Sequence, residues 1–358
     1  MPASSKPAAR SAPSEHNPFL GLLDAVKPEV DRRLDVFLRE QCREARALGP
    51  EVREMLEALA DLCRRGGKRL RPALVAVGFR AVSERAGLEL AFEAGVSLEL
   101  LQAYFLIHDD WMDRDELRRG GPTVHVRLAR KFQDAHLGAA SAILAGDYGA
   151  ALALERLTRL RLPPARLRPA LDAFSRMQSA AVLGQQLDVI GKARDVELVY
   201  RLKTASYTVR GPLELGAVLA GGSARQLRVL GAIAEPLGVA FQLQDDLLGA
   251  FGDPTVTGKP LGNDLIAGKR TLLLVEARRR LRGERRALLD RVAGNARASR
   301  RDVTQALALL DVSGAKASVE ARIQTLSAEA LSAARSGLTP LGRSLIEGAV
   351  QVLTQRRH

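Results

Sequence analysis

Gln102-Ala-Tyr-Phe-Leu-Ile-His-Asp109-Asp110-Trp-Met-Asp113 places polar groups at the end of an apolar stretch that begins near Leu88. At ~100° per residue, Gln102, Phe105, Asp109 and Asp113 fall at about 0°, 300°, 340° and 20° around a helix axis. One helix face therefore carries an amide, then an aromatic ring, then two carboxylates a turn apart. Carboxylates at i and i+4 repel, so at the end of an apolar helix the pair calls for a cation. Two carboxylates with room left for water suit Mg2+ and a phosphate-bearing ligand. A solvated acidic helix end, with Asp110 and Asp113 facing water, explains a single cluster of this kind equally well.

A second cluster shifts the balance. Phe241-Gln242-Leu-Gln-Asp245-Asp246-Leu-Leu-Gly249-Ala-Phe-Gly-Asp253 again ends an apolar helix in paired aspartates, and the chain continues through Lys259 to Asp264-Leu-Ile-Ala-Gly-Lys269-Arg270. Two bundle helices ending at one rim would face their carboxylates across a cavity and clamp a metal–diphosphate from both sides. Cations stand where such a clamp needs them. Gly66-Gly67-Lys68-Arg69-Leu70-Arg71-Pro72 sets two flexible glycines before a cationic cluster, and Arg118-Arg119-Gly120-Gly121-Pro122 follows the first aspartates. The glycines let backbone amides approach phosphate oxygens that the cations neutralise. Lysine is scarce, and Lys68, Lys203, Lys259 and Lys269 are four of only nine. Together these groups describe a cleft for diphosphates and metal ions.

The rest of the chain reads as helix. Of 358 residues, 46% are hydrophobic and 27% charged, which excludes wholesale disorder. Leu70–Val82, Leu88–Met112, Leu137–Leu160 and Leu237–Leu248 carry apolar residues at helical spacing, with no sustained strand alternation. Pro169 and Pro236 mark first turns or kinks. The expected fold is all-α: one large antiparallel helical bundle around a central cavity, spanning residues 19–358, behind a disordered tail over residues 1–18 rich in Pro, Ala and Ser. Apolar runs near 18 residues are interrupted by charge, and the N-terminus has no signal-like apolar stretch, so no stable membrane insertion is expected. Cys42 and Cys63 make no disulfide framework, and the expected location is the cytoplasm. The net charge of +13 comes from arginines spread along the chain, and aromatics are only 4%, so nucleic acid is not an expected partner.

Five motifs in order resemble the trans-type polyprenyl diphosphate synthases over roughly residues 20–350: GGKRLRP (66–72), DDWMD (109–113) with RRGGP (118–122), GQQLD (184–188), KT (203–204), and FQLQDD (241–246) with GK (258–259). The resemblance implies an all-helical homodimer that joins isopentenyl diphosphate head-to-tail to an allylic diphosphate. It implies Mg2+ at three positions, with Mn2+ as the alternative. Asp109 and Asp113, supported by Asp110, would bind two ions, and Asp245 a third, backed by Asp246 and Gln242. Arg118, Lys203 and Lys259 would hold the allylic diphosphate, with Gln185, Asp188 and Thr204 lining the reacting centre and Lys269 at its lid. Gly67, Lys68, Arg71, Arg119 and Gln102 would serve isopentenyl diphosphate. Many members carry a third aspartate where this chain has Gly249, which puts metal affinity in question. Bulky Tyr104 and Phe105, one turn below Asp109, form an early floor that implies farnesyl diphosphate, with geranylgeranyl diphosphate as the alternative product. A class I terpene cyclase shares the first aspartate motif, but it would need an Asn/Asp-Ser/Thr-Glu second site and no GGKRLRP. A silent partner subunit would have lost an aspartate motif.

Overall fold

A computed structural model of the protein describes residues 17–253 and 261–355. Lys259 therefore lies outside the described residues, as do residues 1–16. The first helix already starts inside the expected tail. α1 spans Pro18–Ala45, and Asn17, nearly buried, accepts from the Phe19 amide at 2.9 Å as its N-cap. Asn17 Nδ2 also donates to the Gly348 carbonyl at 3.2 Å, pinning the start of α1 to the last helix.

The fold is all-α, as the apolar spacing requires. α2 (Pro50–Arg64), α3 (Leu70–Arg80) and α4 (Glu89–Met112) are followed by a short hairpin, β1 (Leu117–Arg118) and β2 (Gly121–Pro122), paired Leu117 to Pro122. This hairpin departs from a purely helical reading. It forms because Arg119 and Gly120 adopt φ of 50° and 73°, reversing the chain over two residues. Next come α5 (Val124–Phe132), α6 (Ala135–Thr158), α7 (Pro164–Ile190) and α8 (Val196–Tyr200). A π-helical segment, Arg201–Arg210, leads into α9 (Gly211–Leu219) and α10 (Ala224–Phe251). The C-terminal part comprises α11 (Asn263–Ile266), α12 (Leu272–Arg280), α13 (Gly283–Val292), α14 (Arg300–Val312), α15 (Ala315–Ala333) and α16 (Pro340–Thr354). Pro169 and Pro236 sit inside α7 and α10 rather than at their first turns.

Helix α4 packs on α6, α3 on α9, and the π-helical segment between α7 and α10. The last contact is close because Gly184 has no side chain: a Cβ there would lie 2.3 Å from the Lys203 nitrogen. Helices α4 and α6 are each long and apolar enough to cross a membrane by length and composition. Most of that window in α4 is buried in the bundle, whereas α6 leaves Leu137, Leu144 and Leu154 exposed.

Candidate active site

The last turn of α4 delivers Asp109 to a cluster drawn from three elements. Gln185 Nε2 of α7 donates to Asp109 Oδ1 at 2.7 Å. Lys203 Nζ, from the π-helical segment, donates to the same oxygen at 3.2 Å and to Asp188 Oδ2 at 2.6 Å. Burial favours the neutral acid at Asp109, but Lys203 and Lys269 outweigh it and hold the carboxyl below its ordinary range. The i, i+4 repulsion read from the sequence is met by a lysine for each carboxylate, since Lys269 Nζ donates to Asp113 Oδ2 at 2.7 Å.

Asp110, expected in a supporting role at the metal, faces the hairpin. Its side chain is fully buried and accepts from Arg118 Nε at 2.8 Å and from Arg118 Nη2, while Arg118 also reaches Asp115 at 3.1 Å. Burial pushes the Asp110 carboxyl up to about 6, with Arg118 opposing the rise. Arg118, expected at the allylic diphosphate, holds the hairpin against α4 through the Asp110 and Asp115 carboxylates. Asp246 is likewise an interior group. It accepts from the Tyr200 hydroxyl and, at 2.8 Å, from Gln242 Nε2, and burial pushes its carboxyl up to about 8. Its neighbour Asp245 is exposed. Thr204 Oγ1 donates to Gln242 Oε1 at 2.6 Å, so Thr204, Gln242 and Asp246 form one hydrogen-bonded line from the π-helical segment to α10.

The Gly249 position, where an aspartate was missing, is crowded by another acid. A Cβ on Gly249 would lie 3.0 Å from Asp264 Oδ2, and Gly262 N donates to the Gly249 carbonyl at 3.0 Å. Asp264 Oδ1 in turn stands 3.9 Å from Lys269 Nζ. The loop carrying Asp264 therefore uses the volume that a side chain at 249 would need.

The basic pocket forms around α3. Arg69, at φ 50°, is buried and ion-paired to Glu99 and to Asp31 at 2.6 Å, so it is a structural cation. Arg71 Nη2 donates to Thr208 Oγ1 at 2.8 Å, and its guanidinium lies 4.1 Å over the Tyr207 ring. Burial lowers the Arg119 pKa, and nearby Arg69 and Arg71 add to that effect, which marks a place where an anion would be welcome. Gly67 and Lys68 are exposed at the same loop, with Arg119 Nη2 3.1 Å from a Cβ built on Gly67. Gln102 is buried on α4.

Buried polar atoms without a partner fall largely on these residues: Arg71 Nε, Gln102 Oε1, Asp110 Oδ2 and Gln185 Oε1. Such atoms are uncommon in a folded interior and fit a polar ligand lying among them. The carboxylates read from the sequence as metal donors stand singly or in pairs, and among the described residues no group of three or more His, Cys, Asp or Glu side chains could hold a metal ion by itself. That donor set fits Mg2+, which keeps waters and shares substrate phosphates rather than entering an all-protein cage.

Below Asp109, the Tyr104 and Phe105 rings lie 4.8 Å apart. Phe105 packs on Tyr207 at 4.7 Å and Tyr104 on His108 at 4.7 Å. Sequence reasoning missed Tyr200, Tyr207, Glu99 and Asp115, and it quoted Asp264 beside the second cluster without giving it a role. Only Asp115, close to the first cluster in the chain, carried a local signal.

The polyprenyl synthetase family model matches residues 52–310. Geranylfarnesyl diphosphate synthase of Aeropyrum pernix is 36% identical over 274 residues, covering 74% of this chain and 82% of that protein. Farnesyl diphosphate synthase of Escherichia coli is 38% identical over 239 residues, covering 63% and 76%. Geranylgeranyl pyrophosphate synthase of Corynebacterium glutamicum, solved with isoprenyl diphosphate and magnesium, superposes with a TM-score of 0.88 at 35% identity, covering 94% of this chain and 99% of that one.

Proposed function

The chain belongs to the polyprenyl synthetase family and is a prenyltransferase; from that premise we propose that it condenses isopentenyl diphosphate head-to-tail with dimethylallyl and geranyl diphosphates to give trans-farnesyl diphosphate. The observation that carries this reading is the meeting of Asp109, Lys203, Asp188 and Gln185, with Lys269 on Asp113, beside a separate desolvated pocket at Arg71 and Arg119. Two anion sites of different composition suit two diphosphates that must not exchange places.

Asp109 and Asp113 on one rim and Asp245 on the other would hold Mg2+, expected as three ions. Bound there, the metal supplies Lewis-acid neutralisation of the allylic diphosphate. The chain's own groups do the rest. Lys203 adds positive charge beside the departing diphosphate, and the dry helical interior keeps water from the allylic cation. Arg71 and Arg119, with Lys68, orient the second diphosphate so that its double bond meets that cation. As the new C–C bond forms, one proton leaves the condensed chain, and the departed diphosphate is the base that takes it.

Product length follows the floor. A growing chain anchored at Asp109 and Asp113 runs into Tyr104 and Phe105 one turn below, backed by His108 and Tyr207. This supports the fifteen-carbon product. The second reading is geranylgeranyl diphosphate, favoured by relatives named for longer products. The exposed stripe Leu137, Leu144 and Leu154 on α6, with Val182, Leu183 and Ile190 on α7, supports a homodimer through these helices. Free, non-disulfide Cys42 and Cys63 suit the cytoplasm.

Incubation with dimethylallyl diphosphate, radiolabelled isopentenyl diphosphate and Mg2+, followed by chromatography, tests the proposal. Labelled farnesyl diphosphate and released diphosphate are expected. A dominant geranylgeranyl product would select the second reading, and no prenyl product at all would defeat both.

A further inference from the structure

The arginines are not evenly spread. Residues 276–301 hold ten arginines against three carboxylates, a net +7 of the chain's +13. Some of these charges are spent internally: Arg278 and Arg286 on Asp290 at 2.8 and 2.7 Å, and Arg280 on Glu276. Six others, Arg282, Arg285, Arg291, Arg297, Arg300 and Arg301, are exposed and make no ion pair among the described residues. Like charges left side by side repel, so a surface of this kind matches an anionic partner.

The lobe that carries the patch is tied to the candidate site. The Gly294 amide, in the turn before Arg297, donates to the Leu265 carbonyl at 2.9 Å, which fastens the basic lobe to the loop bearing Asp264 and Lys269. Lys269 fastens that loop to Asp113 at the end of α4. Immediately before Asp113 stand Trp111 and Met112, 43% and 40% exposed, and on the hairpin Leu117 is 70% exposed. Exposed apolar side chains at the end of α4 and on the hairpin are thus joined, through Lys269 and the Leu265–Gly294 contact, to the lobe that carries the arginines without ion pairs.

We propose that this surface docks the enzyme on an anionic phospholipid bilayer, with the arginines on headgroup phosphates and Trp111, Met112 and Leu117 at the interface. Part of the argument rests on the proposed function, because a product with a charged head and a long apolar tail leaves most readily into a bilayer held at the exit. The six arginines exceed what one soluble diphosphate needs, and with so few aromatics the chain offers no stacking surface for nucleic acid. The attachment is peripheral, through surface charge and interfacial side chains.

Flotation of the full-length protein with phosphatidylcholine vesicles, with and without about one-third phosphatidylglycerol, tests this. Association with the anionic vesicles alone, weakening as salt shortens the Debye length, is expected. Trp111 is the only tryptophan, so its emission should shift to the blue on binding. The triple variant Arg297→Glu, Arg300→Glu, Arg301→Glu should lose about tenfold or more in vesicle affinity while keeping its turnover on soluble substrates. If that variant misfolds by circular dichroism, Arg297→Gln with Arg301→Gln serves and should show a smaller loss in the same direction. Equal binding to neutral vesicles, binding without a change in Trp111 emission, or unchanged affinity of the folded variants would overturn the proposal. So would a DNA duplex that displaces the vesicles through the same arginines. Absence of turnover in the unaltered protein would instead strike the proposed reaction, which the same samples report separately.

Discussion

Lys269 Nζ lies 2.7 Å from Asp113 Oδ2, across 156 residues of chain, and so ties the end of α4 to the loop that follows α10. Burial works against the lysine's charge, but Asp113, Asp264 and Asp109 more than compensate, so the ammonium stays protonated. Without a metal, the lysine is the counter-charge for Asp113.

Removing that counter-charge should make the Asp109–Asp113 pair lean more on an added cation. Lys269→Ala should leave Asp113 facing Asp109 with one cation fewer, so the substrate-free protein loses stability. The same variant should gain more in Tm than the unaltered protein when Mg2+ and a diphosphate analogue are added together, because the ligands now relieve a larger repulsion. Thermal melts with and without the pair measure this. Equal Tm gains would show that the Lys269–Asp113 contact does not neutralise the metal site.

Arg118 and Arg71 should fail in different ways. Arg118→Ala leaves the buried Asp110 carboxylate unpaired, a loss of roughly 3–5 kcal/mol. Melts should therefore show a clear drop in Tm alongside impaired turnover. Arg71→Ala removes a hydrogen bond to Thr208 and the stacking on the Tyr207 ring, and should mainly raise KM for isopentenyl diphosphate, by about ten- to a hundredfold. Steady-state kinetics with each substrate varied in turn separate the two, and a pure KM effect in both variants would contradict the Asp110 assignment.

Restoring an aspartate at 249 should harm the enzyme. Gly249→Asp places a side chain 3.0 Å or less from Asp264 Oδ2 and sets two carboxylates together. Turnover should fall, and the Mg2+ concentration for half-maximal activity should not improve. The double variant Gly249→Asp with Asp264→Asn should recover part of the loss, since it removes the like charge. Higher metal affinity in the single variant would show that the space is open to a metal ligand.

The proposed floor of Tyr104 and Phe105 sets the last expectation. Tyr104→Ala with Phe105→Ala opens the face below Asp109 without touching the carboxylates, so products should lengthen by one or more five-carbon units. Tyr207→Ala alone should lengthen them less, because it removes only the backing of Phe105. Chromatography of the dephosphorylated products reads the outcome. An active double variant with unchanged products would place the floor on other helices.

Both aspartate clusters and the helical class were legible in the sequence for a local reason. Helical spacing alone puts Asp109 and Asp113 on one face, and a carboxylate pair interrupting an apolar period is visible without any tertiary contact. The basic loops were legible in the same way, from glycine beside cation. The family resemblance then assigned Lys203, Thr204, Gln185 and Asp188, which no periodicity singles out.

Tertiary structure alone decided what each neighbouring carboxylate faces. Asp109 and Asp110 are adjacent in sequence and about a hundred degrees apart on the helix, so one meets Lys203 and Gln185 while the other is buried against Arg118. That second contact exists because the hairpin at Arg119 and Gly120 turns Arg118 back onto α4. Tyr200 on Asp246, Lys269 on Asp113 and Asp264 beside Gly249 are likewise products of packing between distant segments. Periodicity determines which face a side chain shares, but the residue that occupies the space opposite is set by long-range packing, and no local pattern encodes it.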